Sequence, residues 1–117
     1  MEKSYSQEDL ELFWVSLARG ACAGRNLKSC LEGIRAELGE SPLSAVVDDL
    51  MDSVMRNEPL SAAMARHPRA FRQHVVSLVD GGDRAGILDR VFVLIVEFAW
   101  RCPDCILGAG SDAPAGE

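Results

Sequence analysis

The sequence predicts an all-α fold, a compact antiparallel six-helix bundle, and two patterns carry that reading. First, apolar residues recur on one template. Leu10, Phe13, Trp14, Leu17 and Ala21 fall at offsets 0, 3, 4, 7 and 11. The same offsets return in Leu27, Cys30, Leu31, Ile34 and Leu38, in Leu43, Val46, Val47, Leu50 and Val54, and in Leu88, Val91, Phe92, Ile95 and Ala99. Each set paints one stripe along a helix of 3.6 residues per turn. Second, no segment alternates apolar and polar residues with the period of a strand, so no sheet is expected.

The punctuation places the elements. Ser6 reads as the N-cap of the first helix, with Asp9 at the third helical position completing a capping-box variant. Ala23-Gly24 ends that helix, glycine supplying the left-handed residue beyond it. Asn26 caps the second helix and Gly39 closes it. Ser41-Pro42 is an N-cap followed by proline at the first helical position, where a missing N–H costs nothing. Asn57-Glu58-Pro59 breaks the third helix. A short fourth, about Leu60 to Arg66, stops at His67-Pro68 because a residue before proline avoids the α region. Phe71 to Asp80 is the fifth, Gly81-Gly82 a corner, and about Ala85 to Arg101 the last.

The 117 residues carry 18 acidic and 12 basic side chains, a formal net charge of −6. At roughly 100–200 residues per domain this is one domain. The acidic balance excludes general nucleic-acid binding, which needs a basic footprint. No window reaches the ~18 consecutive apolar residues of a membrane helix. Met1-Glu2-Lys3-Ser4 leads into polar residues, so no signal peptide is expected. The domain reading is a flexible N-terminus at 1–6, the bundle at 7–101, and a Cys-x-x-Cys pair with a disordered tail at 102–117.

Candidate chemistry is sparse. His67 and His74 are the two histidines, and His67 at a helix end is expected to cap carbonyls or face solvent. Gly81 to Gly86 is glycine-rich, but no strand precedes it and no Lys-Ser/Thr pair follows, so it is not a phosphate loop. Asp48, Asp49 and Asp52 read as a solvated helix face, with a hard-cation site as the alternative. Cys22 and Cys30 are expected as buried free thiols, and the missing export signal argues against disulfides. Cys102 and Cys105 form half of a tetrahedral zinc site or a redox pair; incidental thiols are the bland reading. Arg56, Arg66, Arg69 and Arg72, with His67 and His74, make a basic stretch. It either meets an acidic partner or anionic lipid headgroups, or pairs with the acidic third helix. Trp14 and Trp100 are assigned to the core, with an interface as the alternative.

Two stretches resemble a known family. Phe13-x-x-x-Leu17-Ala18, then Ala23-Gly24-x-x-Leu27-x-x-x-Leu31-Glu32, resembles the opening of the type II secretion system protein F domain, shared with type IV pilus platform proteins. Leu60-Ser61-x-Ala63-Met64-Ala65-x-His67-Pro68-x-x-Phe71, then Gly82-Asp83-x-Ala85-Gly86-x-Leu88, is similar to that family's second half. The likeness runs from about Leu12 to Arg101. It departs at Val15-Ser16, where the family has Arg-Gln, and at Asp83, where the family has glutamate. A typical member also carries two copies of the domain and transmembrane helices.

The resemblance implies a six-helix bundle without catalysis or cofactor. It implies a scaffold that binds an assembly ATPase or other platform subunits, with self-association into a homodimer. It implies a place in the cytoplasm, at the inner-membrane face, with no membrane span expected from the sequence itself. Arg66, Arg69, Arg72, Asp83 and Arg84 are the candidate partner-binding residues. Asp83 is also a candidate cation ligand, because the family's acidic corner binds a cation where domains meet. The alternative is a small metal-binding or redox-active helical protein using Cys102 and Cys105.

Overall fold

The computed structural model of the 117-residue chain describes residues 5–102. Six helices follow one another: α1 (Gln7–Cys22), α2 (Leu27–Leu38), α3 (Pro42–Met55), α4 (Leu60–Ala65), α5 (Gln73–Ala85) and α6 (Leu88–Arg101). The described residues contain no strand, as the periodicity predicts. Each helix packs on the next except across the α4–α3 return, where contact is thinner, and α6 comes back onto α1, closing the bundle into a ring.

The four apolar stripes become the core. Leu10, Phe13, Trp14 and Leu17 of α1 are buried with Cys30, Leu31 and Ile34 of α2, Leu43, Val46, Val47 and Leu50 of α3, and Phe92, Ile95 and Ala99 of α6. At the centre, Trp14 stacks edge-on against Phe13 at 5.0 Å and Phe71 at 5.8 Å, and lies tilted against Phe92 at 6.1 Å. Such offset and edge contacts suit the ring quadrupoles. Phe71 sits in the turn between α4 and α5, so this aromatic knot ties an irregular segment to α1 and α6.

The caps explain the helix starts. Ser6 Oγ accepts from the Asp9 N–H at 3.0 Å, and Asn26 Oδ1 accepts from the Ser29 N–H at 2.8 Å. The expected reciprocal box at α1 is not formed. The Asp9 carboxylate instead accepts the Ser41 hydroxyl at 2.6 Å, which joins the first turn of α1 to the start of α3. The reciprocal box occurs at α3, where Ser41 and Ser44 bond each other's backbone and Pro42 is the first helical residue.

The region around Gly81-Gly82 differs from the sequence reading. It is no corner: α5 runs through both glycines to Ala85, and Gly86 takes the left-handed C-cap with φ 74°. The last helix accordingly starts at Leu88, later than expected. Each interior glycine costs roughly 0.5–1 kcal/mol of helix stability relative to alanine. Packing overrides that cost at Gly82, whose missing side chain lets Val91 of α6 approach.

Two further expectations of burial fail. Trp100 is 65% exposed: it falls just beyond the edge of the core-facing arc that positions 92, 95, 96 and 99 take on α6, in the last turn of the helix. Cys22, the last residue of α1, is exposed, whereas Cys30 is buried.

Candidate functional site

The candidate residues cluster where α4 and the turn after it lie against α3. The geometry starts from the α3 helix repeat. Asp49, Asp52 and Ser53 lie within one turn, so they face the segment that folds back after Asn57-Glu58-Pro59. Asn57 takes a left-handed φ of 63°, and the Glu58 N–H donates to the Ser53 carbonyl at 2.9 Å, which turns the chain through the break.

Arg66 and His67 then reach back across this turn. Arg66 Nη2 donates to Asp49 Oδ2 at 3.2 Å and to Ser53 Oγ at 2.6 Å. His67 Nε2 lies 2.7 Å from the same Asp49 oxygen; facing a carboxylate, that nitrogen carries the hydrogen and donates. Ser53 is fully buried and His67 half-buried. Bonds from His67 and Arg66 hold the Asp49 carboxyl below its ordinary range. Beside them Arg56 Nη1 pairs with Asp52 at 2.6 Å, and its Nε stands 3.5 Å from Glu58. Arg56 and Ser53 likewise lower the Glu58 carboxyl.

This clamp corrects one reading. His67 is neither a carbonyl cap nor a solvent residue; its proline partner fixes the helix end that aims the ring at Asp49. The acidic trio keeps its solvated face at Asp48 and Asp52, which are exposed and pair with Arg35 at 2.9 Å and Arg56 at 2.6 Å, while Asp49 is partly covered by Arg66 and His67. Of the basic stretch, Arg56 and Arg66 are thus engaged within the chain. Ser53 was not legible as a participant, although a serine on the apolar stripe of α3 was the available signal.

The other candidates are dispersed. Arg69 is exposed in the α4–α5 turn, Arg72 is the N-cap residue of α5, and His74 is exposed on its first turn. Asp83 and Arg84 are exposed near the C-terminus of α5, where Arg84 pairs with Asp80 at 3.3 Å and Asp80 accepts the Ser61 hydroxyl at 3.2 Å. Among the described residues no three His, Cys, Asp or Glu side chains converge as a metal site would require. Cys22 and Cys30 are free thiols as expected, whereas Cys102 is disulfide-bonded, against the argument from the missing export signal, and Cys105 lies outside the described residues.

The fold and the clamp define an all-α domain whose polar chemistry is ion pairing between helices. The pattern of type II secretion system protein F matches residues 14–101, and the chain belongs to that family. A relative is the type IV pilus assembly protein PilC of Thermus thermophilus, 27% identical over 89 residues. The match covers 76% of this chain but 22% of that protein, so the chain spans about a fifth of the relative's length. No helix among the described residues is long and apolar enough to cross a membrane.

Proposed function

We propose that this bundle is a non-catalytic docking domain of a secretion or pilus platform at the cytoplasmic face of the inner membrane, binding an assembly ATPase or another platform subunit. The match to the protein F family across residues 14–101 carries the reading. The partner is proposed to meet Arg69 and Arg72 at the start of α5 and Asp83 and Arg84 at its end, with Arg66 contributing what the clamp leaves exposed. The clamp fits such a role, because it fixes the α4–α5 turn that carries Arg69 and so spares part of the ordering cost of binding. Pairing of two copies is part of the same reading.

The test is a binding measurement against the purified assembly ATPase and, separately, the platform subunits of the same organism. Saturable binding to one of them is expected, and replacing Arg69 and Arg84 by glutamate together should weaken it about tenfold or more in a variant whose circular dichroism still reports the folded helical bundle. Binding no stronger than to an unrelated protein of equal charge in both arms would end the assignment.

A further inference from the structure

A cavity of about 310 Å³ lies between α1 and α2, away from the clamp, lined by Ser16, Arg19, Gly20, Arg25, Gly33 and Glu37 among others. Two glycines line it. At Gly20 the space of a side chain is taken by Cys30 Sγ, which a Cβ there would collide with, so α1 and α2 approach closely at that point. A Cβ on exposed Gly33 would meet nothing within 4 Å, so that side of the cavity is open. The volume sits at the lower end of ligand pockets, about 300–1,000 Å³.

The walls differ in charge from end to end. Ser16 Oγ and Glu37 Oε1 lie 3.4 Å apart and mark one end. From Ser16 to Ala23, α1 rises roughly 10 Å at 1.5 Å per residue. At the other end the chain turns, and Arg25 lies along the wall, its Cδ 3.9 Å from where a Gly20 Cβ would be. Arg19 stands between. Among the described residues Arg19 and Arg25 have no ion-pair partner, as is also true of Arg90 and Arg101, whereas Arg35, Arg56, Arg66 and Arg84 are paired. What sets Arg19 and Arg25 apart is that both line this cavity. Guanidinium groups match carboxylate and phosphate oxygens in geometry as well as charge. The thiol of Cys30 forms part of the floor, and burial pushes its pKa up, which favours the neutral, inert form.

From this we infer that the α1–α2 cavity binds a small molecule carrying a carboxylate or phosphate at Arg19 and Arg25 and an amine or hydroxyl donor toward Glu37 and Ser16.

The experiment is a titration of the full chain followed by amide NMR, using inorganic phosphate, phosphoethanolamine and β-alanine, with sodium chloride at matched ionic strength. Saturable shifts at Arg19, Gly20, Arg25 and Gly33 are expected with at least one probe, while Gly81 on α5 stays still. Phosphoethanolamine binding above β-alanine would mark a phosphate site, and the reverse a carboxylate site. The paired variant Arg19→Gln, Arg25→Gln should weaken binding about tenfold or more. Glu37→Gln should abolish any preference for phosphoethanolamine over phosphate. Gly33→Phe, which fills open space, should block binding at an unchanged melting temperature. Shifts no larger than those from chloride with every probe, or binding indifferent to all three variants, would overturn the inference.

Discussion

Gly82 and Val91 meet where no larger residue fits: a Cβ on Gly82 would stand 2.5 Å from Val91 Cγ2 and 3.4 Å from Leu88 Cδ2. The neighbouring Gly81 faces open space. Two adjacent glycines in one helix therefore play opposite parts. Gly81→Ala should stabilise the domain by about 0.5–1 kcal/mol through helix propensity. Gly82→Ala should destabilise it by about 1–3 kcal/mol, because α6 must move to admit the methyl. Urea unfolding of both variants checks the pair; equal signs would show that the α5–α6 contact is looser than described.

Asp49 links the clamp to pH. Its folded pKa lies below the ordinary value of 3.8. The stability it contributes is therefore complete above that value and is lost as pH falls through the lower, folded one. Asp49→Asn should cost about 1 kcal/mol near neutral pH, the partial exposure of the pair reducing its worth. The difference between wild type and variant should shrink below pH 3.8. Melting temperatures of both proteins between neutral and strongly acidic pH give the comparison, and a constant difference would contradict the clamp.

The aromatic knot concentrates stability in a turn. Phe71 is 2% exposed and touches both Phe13 and Trp14. Phe71→Ala should cost about 3–5 kcal/mol, as expected for a buried ring. A cost below about 1 kcal/mol, the level of an ordinary surface change, would refute the packing.

The two tryptophans should report different surroundings. With Trp100 replaced by phenylalanine, Trp14 alone should emit at short wavelength and resist iodide quenching. With Trp14 replaced, Trp100 should emit as a hydrated indole and quench readily. Steady-state fluorescence of the two variants distinguishes a buried residue from a 65% exposed one.

Thiol labelling separates the cysteines. Cys22 is exposed, and Cys30 is buried with its thiol pushed up in pKa. A negatively charged disulfide reagent should modify Cys22 in the native protein and Cys30 after unfolding, with mass spectrometry assigning each product. Equal native rates would show that Gly20 and Cys30 do not close on each other.

Much of this fold is legible because apolar period and capping agree. Leu10 to Ala21 gives a stripe, Ser6 and Gly24 give its ends, and the structure places α1 between them. The same holds for α2 and α3. Legibility ends where a residue has two uses. Gly81-Gly82 reads locally as a turn, yet only the approach of Val91, nine residues beyond Gly82, explains glycine inside a helix. The clamp is hidden for a related reason. Asp49, Ser53, Arg66 and His67 look like separate surface residues until the Asn57 turn brings α4 back onto α3. Arg19 and Arg25 give no motif at all, because their shared cavity depends on a gap between two facing helices.

The hydrogen bond from Ser41 to Asp9 lets one carboxylate serve two helix beginnings separated by 32 positions. Asp9 sits in the first turn of α1, where negative charge suits the helix dipole, and it also anchors the residue that caps α3. The two starts are thereby made to fray together. Opening of the first turn of α1 releases the cap of α3, so amides near Leu10 and Ser44 should exchange with solvent as one cooperative unit although they belong to distant parts of the chain.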